Sequence, residues 1–128
     1  MKQSTREWIQ KAELDFQGAR ALSLRRKVRF HDLVCFHCQQ SAEKYLKARL
    51  EEAGCRIPRT HDLGDLLDLL LPLEPLWAAL RPALDALSDY AVDFRYPGNS
   101  ANARDAKTAI QNAKAARQEA RLALGLKV

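Results

Sequence analysis

The sequence predicts an all-α fold: an antiparallel bundle of four to five helices built from two long helical hairpins. Three observations carry that expectation. Apolar residues recur three and four positions apart along the chain, the spacing of one helix face. No stretch shows the sustained alternation or the Asn-Gly turn that strands and hairpins leave. Helix-ending chemistry, at Gly54, Pro58, Pro72 and Pro97-Gly98, falls between the periodic segments. A length of 128 residues suits one domain over 1–128 with a core that needs no staples.

The elements follow in order. Ser4 and Glu7 have the spacing of a capping box that opens the first helix, whose apolar face is Trp8, Ala12, Phe16 and Ala19 before the basic stretch Arg25-Arg26-Lys27. A second helix is expected from Asp32, as N-cap, to Gly54, burying Cys35, Cys38, Ala42, Tyr45 and Leu46. Pro58 closes the connection. Thr60 is then expected to cap a short third helix carrying Leu63, Leu66, Leu67 and Leu70, which Pro72 ends. Pro75 suits a first helical turn, and Pro82 should kink or restart the segment whose stripe is Leu80, Leu84, Leu87, Ala91 and Phe94. Pro97-Gly98-Asn99 is turn chemistry, after which Ser100 can cap a last helix ending at Gly125.

The last helix has two unlike sides. Ala106, Ala109, Ala113, Ala116 and Ala120 permit close approach of a neighbour, whereas Arg104, Lys107, Gln111, Lys114, Gln118 and Arg121 form a row of long donors suited to phosphates or simply to solvent.

Net charge is +5, unevenly spread. Residues 1–30 hold eight Lys/Arg against three acids, residues 97–128 six against two, and residues 61–96 seven acids against two arginines. This reads either as a polarised surface that attracts nucleic acid or an acidic partner, or as helices that neutralise one another. Asp85, Asp89 and Asp93 repeat one turn apart, so they call for a neutralising partner; one helix face offers only part of an octahedral Mg²⁺ site.

Other classes are disfavoured. No apolar run approaches the roughly 20 residues a membrane span needs. The first residues, Met1 to Glu7, lack a secretory pattern, and the odd set Cys35, Cys38 and Cys55 suits a reducing compartment, so a cytoplasmic location is expected. His31, Cys35 and Cys38 share a helix face but have no second ligand pair downstream, which favours buried thiols over zinc. No metal, redox or organic cofactor is expected.

Three blocks remain: Gln39-Gln40-Ser41-Ala42-Glu43-Lys44-Tyr45-Leu46-Lys47, Thr60-His61-Asp62-Leu63 and Arg95-Tyr96-Pro97-Gly98. By themselves, Glu43 and Lys47 are an ordinary i, i+4 pair, and His61 is a residue that either ties down a helix start or transfers protons. Together, and in this order, the blocks resemble the signature of a HEPN domain, a resemblance running from Trp8 through the last helix. It implies a helical bundle, often dimeric, in a family named for nucleotide binding. Many members pair with a minimal nucleotidyltransferase in toxin–antitoxin units, and others are metal-independent endoribonucleases with an R-x(4–6)-H motif. Counting from Arg95, the histidine positions hold Ser100, Ala101 and Asn102, none able to act as acid or base. Arg56 to His61 and Arg26 to His31 match R-x4-H by count alone and lie elsewhere in the fold plan.

The favoured reading is a non-catalytic nucleotide- or RNA-binding module, a homodimer or nucleotidyltransferase partner, using Arg95, Tyr96, Gln40, Lys44, Lys47, His61, Arg104 and Lys107. One alternative is an endoribonuclease with a composite site of Arg95 and His61, since catalytic groups need only meet in space. Another is a helical dimerisation adaptor.

Overall fold

In the computed structural model, which describes residues 1–128, the chain forms five helices and no strand: α1 (Gln3–Ser23), α2 (His31–Glu52), α3 (Leu63–Leu70), α4 (Arg81–Asp93) and α5 (Ala103–Ala123). A 3₁₀ turn over Pro75–Leu80 leads into α4. The all-α bundle expected from periodicity is therefore the observed fold. No helix is long and apolar enough to cross a membrane.

Helix α2 is the axis, packing against α1, α3, α4 and α5. Twelve of its residues are buried, spread around the whole helix, so its polar side chains need partners inside the protein, which all of the buried ones but Ser41 find. Helix α1 runs antiparallel to it, as Ser4 meets Glu51 near one end and Asp15 meets His37 near the other. Helix α5 runs the same way as α2, with Asp32 beside Ala101 and Tyr45 beside Arg121. The expected apolar sets are buried, save for the half-buried Trp8, Ala91 and Phe94: Ala12, Phe16 and Ala19 on α1, Leu63, Leu66, Leu67 and Leu70 on α3, and Leu80, Leu84 and Leu87 ahead of and along α4. The five alanines of the expected stripe on α5, Ala106, Ala109, Ala113, Ala116 and Ala120, all face this core, which lets its backbone approach α2 closely.

Four helix starts differ from expectation by two residues each, for traceable reasons. Ser4 does not form a capping box: Lys2 is the N-cap of α1, without a side-chain cap, and the Ser4 hydroxyl donates to Glu51 (2.7 Å). The carboxylates of Glu51 and Glu52, arriving from the end of α2, complement the α1 N-terminus instead, with Glu52 accepting from the Lys2 amide (3.1 Å). Asp32 is in the first turn of α2 rather than its N-cap, and its carboxylate accepts from the Ala101 amide (2.6 Å). Asp62 rather than Thr60 caps α3, while the Thr60 hydroxyl accepts from the Asp62 amide. Asn102 rather than Ser100 caps α5, in a capping box with Asp105. The glycine stops behave as expected: Gly54 (φ 74°) and Gly125 (φ 73°) are left-handed, and each closes a Schellman pair, Cys55 N–H to Leu50 and Leu126 N–H to Arg121. Pro82 sits at the start of α4, so the segment restarts there rather than kinking.

Cys35 and Cys38 are buried, and burial pushes both thiols up to about 12, leaving them protonated and inert; Cys55 is exposed. Charges neutralise across α1 and its neighbours: Glu13 takes a two-point grip from Arg117 of α5 (2.7 and 3.0 Å), and Asp15 pairs with Lys44 (2.5 Å) and His37 (2.9 Å) of α2. The Tyr45 hydroxyl also donates to Glu13, and Arg117 lies over the Phe16 ring. Asp85, Asp89 and Asp93 make no ion pair with the basic helices.

Two expectations follow. Replacing Ala113→Leu on the buried face should cost about 1–3 kcal/mol in urea denaturation by overpacking, while Gln111→Leu on the exposed face should not. Burial raises the Glu13 carboxyl, but hydrogen bonds from Arg117, Tyr45 and Gln17 outweigh it and hold it at about 2, against an ordinary 4.5. Its stabilising contribution is thus complete above 4.5 and is lost as pH falls towards 2. Arg117→Met should flatten the dependence of stability on pH across that window.

Candidate functional site

Between α2 and α4 lies a cleft of about 470 Å³ whose walls include Phe36, Gln39 and Gln40 of α2, His61 and Asp62 before α3, Ser88 and Asp89 of α4, and Arg95 just beyond it. Helix geometry explains the gathering. Gln39 and Glu43 are one turn apart on α2, and each binds the segment that leads into α3. On the α4 side, the Ser88 hydroxyl accepts from the Leu63 amide (3.0 Å), so the start of α3 is tied to both walls. Arg95 follows directly from the end of α4, where the chain turns through Pro97-Gly98 (φ 105°).

Beneath the cleft, Glu43 and Lys47 form an ion pair (3.0 Å) with side chains only 5 % and 8 % exposed. Glu43 also accepts from Gln39 Nε2 (3.1 Å) and meets His61 Nδ1 through both oxygens (3.0 and 3.2 Å). Burial pushes the Glu43 carboxyl up, but the donors Lys47, Gln39 and His61 outweigh it and keep it below its ordinary value. An ionised carboxylate only accepts, so His61 must donate through Nδ1. The same Gln39 amide holds the His61 carbonyl (3.0 Å), fixing the backbone as well as the ring. His61 is nonetheless 83 % exposed, and Nε2 has no partner within the protein. The result is an imidazole oriented by a buried carboxylate with one ring nitrogen available to a ligand.

The structure brings together three of the residues singled out from sequence, Gln40, His61 and Arg95, in one cleft. Gln40 lies at the wall, donating to Gln39 Oε1 (2.7 Å). Tyr96 is exposed beside Arg95. Lys47 lies in the interior, under the Trp8 ring and on Glu43, and Lys44 is held by Asp15, so neither lines the cleft. Arg104 and Lys107 are exposed on α5, also outside it. Of the two count-only matches, Arg56 opens onto a different cleft with Pro58 and Leu69, and His31 onto another at the start of α2. Phe36, Ser88 and Asp89 are cleft residues that sequence reasoning does not place there. Spacing marks Asp89 only as one of a carboxylate triad, and an exposed phenylalanine gives no spacing signal.

Chemically, the cleft offers one guanidinium, one oriented imidazole, the amides of Gln39 and Gln40, the Ser88 hydroxyl and the carboxylates of Asp62 and Asp89. The guanidinium suits an anionic oxygen, as does the imidazole when both ring nitrogens carry protons, and Asp89 suits a hydroxyl donor. Glu43→Gln leaves Lys47 buried without its counter-charge and should cost about 3–5 kcal/mol in thermal or urea unfolding. Pairing it with Lys47→Met should restore much of that loss, while the ¹⁵N shifts of His61 should still report a ring no longer confined to one tautomer.

No curated protein and no solved structure matches the chain. A family profile described as HEPN domain matches residues 5–122, nearly the whole chain and every element that builds the cleft. With the helical bundle in place, the chain belongs to the HEPN domain family.

Proposed function

We propose that this protein is a nucleotide- or RNA-binding module that holds a phosphate-bearing ligand in the α2–α4 cleft without turning it over. The observation that carries the reading is the meeting of Arg95 and His61 in that cleft, from segments far apart in sequence. Arg95 supplies fixed positive charge and two-point hydrogen bonding to phosphate oxygens. His61 Nε2 and the Gln40 side chain add directional contacts, and Asp89 accepts from a ribose hydroxyl, the group that separates RNA from DNA. Tyr96, 65 % exposed, supplies a face on which a base can stack. Homodimerisation, and partnership with a minimal nucleotidyltransferase in a toxin–antitoxin unit, belong to the proposal through family membership.

One observation favours a second reading, a metal-independent endoribonuclease. The buried Glu43 holds His61 with Nδ1 as donor, which leaves Nε2 able to take a proton from a ribose 2′-hydroxyl. That oxygen would attack the adjacent phosphorus, expelling the 5′-oxygen and leaving a cyclic phosphate, with Arg95 balancing the charge. His61 is the only imidazole in the cleft, however, and no second group of matching chemistry stands ready to protonate the leaving oxygen. Binding without cleavage is therefore the preferred reading.

Incubating wild type, Arg95→Ala and His61→Ala with labelled single-stranded RNA in EDTA separates the two. The proposal expects retention by wild type without cleavage, and about tenfold weaker retention (about 1.4 kcal/mol) in Arg95→Ala. Cleavage by wild type that disappears in both variants would replace it with the nuclease reading.

A further inference from the structure

The loop between α1 and α2 concentrates cations without partners. Arg25, Arg26, Lys27 and Arg29 are all exposed, and none enters an ion pair. Elsewhere in the chain Arg49, Arg81 and Arg117 are matched to carboxylates while other exposed cations such as Arg56 and Arg104 are not, so it is the density of this run that sets it apart. Four like charges within five residues repel one another, and an arriving anion relieves that repulsion.

The loop also opens onto a cavity. A second cleft, of about 430 Å³, is lined by Arg29, His31 and Leu33 on one side and by Ser100 and Ala101 on the other. Asp32 lines it too, but its carboxylate is occupied by the Ala101 amide. This cleft adjoins the first. Leu33 lines one and Phe36 the other, a single turn apart on the outer edge of α2, and on the opposite side Arg95 bounds the first while Ser100 and Ala101 bound the second. From Gln40 back to Leu33 the shared edge is about 10 Å long at the helical rise. Both apolar side chains on that edge are exposed, Leu33 by 45 % and Phe36 by 43 %. A cationic track punctuated by an exposed aromatic ring is the arrangement that binds single-stranded nucleic acid, with phosphates on the cations and a base on the ring.

We infer that the ligand is a single strand of RNA rather than a mononucleotide, running from the Arg95–His61 cleft past Phe36 to a second phosphate subsite formed by Arg29 and His31, with the exposed Arg26 of the same loop on its approach. This rests on the proposed function and extends it to a second site. The loop arginines are exposed and stand outside the core, so their replacement leaves the fold intact, which circular dichroism checks.

Fluorescence anisotropy with labelled 5′-phosphorylated diuridylate and with a twelve-nucleotide oligouridylate tests the path. Wild type should bind the longer strand more tightly. Arg26→Ala/Arg29→Ala should weaken the twelve-mer about tenfold and leave the dinucleotide unchanged. The slope of log affinity against log salt for the twelve-mer should also become shallower, by about 0.7 for each phosphate the variant no longer neutralises. Arg95→Ala should weaken both. Equal binding of the twelve-mer by the double variant and wild type would overturn the second subsite while sparing the first cleft. Indifference of both RNAs to Arg95→Ala, or no binding by wild type, would overturn the cleft reading and the path with it. Competition by an oligo-glutamate of equal charge as effective as unlabelled twelve-mer would also overturn it, because charge alone would then explain retention.

Discussion

Burial of α2 on nearly all sides is the constraint from which the rest of the structure follows. A helix in that position cannot leave polar side chains solvated, and this one carries Gln39, Glu43 and Lys47 in its buried set, with the Tyr45 hydroxyl among them. These four are answered by a hydrogen-bonding or charged group, whereas the buried Ser41 hydroxyl of the same helix has no partner. Tyr45 reaches Glu13 of α1, which in turn fastens Arg117 of α5. Glu43 answers Lys47 on its own helix and His61 from the segment before α3. The polar satisfaction of one helix thus sets how α1, α3 and α5 are docked around it. Breaking a buried pair of this kind exposes the full desolvation cost of the remaining charge, so such pairs specify the arrangement more than they add to its stability.

The candidate site is a by-product of the same constraint. Gln39 and Glu43 hold His61 from below, Ser88 holds the Leu63 amide, and the cleft is what remains between those ties. Its floor is rigid because its supports are buried, while the groups that face outward, His61 and Arg95, are exposed at its rim. Preorganised support beneath an accessible rim is what a ligand site requires, since little ordering is left to be done on binding. The charges of Asp62 and Asp89 keep the cleft from being uniformly cationic around Arg95, and a dense run of unmatched cations lies beyond it in the α1–α2 loop.

Much of the fold is legible in the sequence because leucine and alanine periodicity is unambiguous here. The buried faces of α3 and α5 coincide with the stripes read from spacing, and Gly54 and Gly125 stop their helices for a reason local to glycine. Helix starts are less legible, because Ser4, Thr60 and Ser100 are good caps by type, while tertiary partners or a better neighbour decide the matter. Glu51 claims the Ser4 hydroxyl, and Asp62 and Asn102 cap through their own side chains. The site is legible only in part. Residue type and family resemblance bring out Arg95, His61 and Gln40, but spacing makes Glu43 and Lys47 look like an ordinary surface pair. Their burial depends on how α1 and α3 close over α2, which no pattern within α2 reveals.

Titrating ¹⁵N-labelled protein with single-stranded RNA, while following backbone amides and the His61 ring, tests the central claim most directly, because it locates the ligand without assuming where it binds. The account predicts that the largest shifts cluster at His61, Arg95, Gln40 and Phe36 and continue into residues 25–33, with the α5 face of Lys107 and Lys114 little affected. Shifts concentrated on that α5 row, with the cleft residues silent, would contradict it.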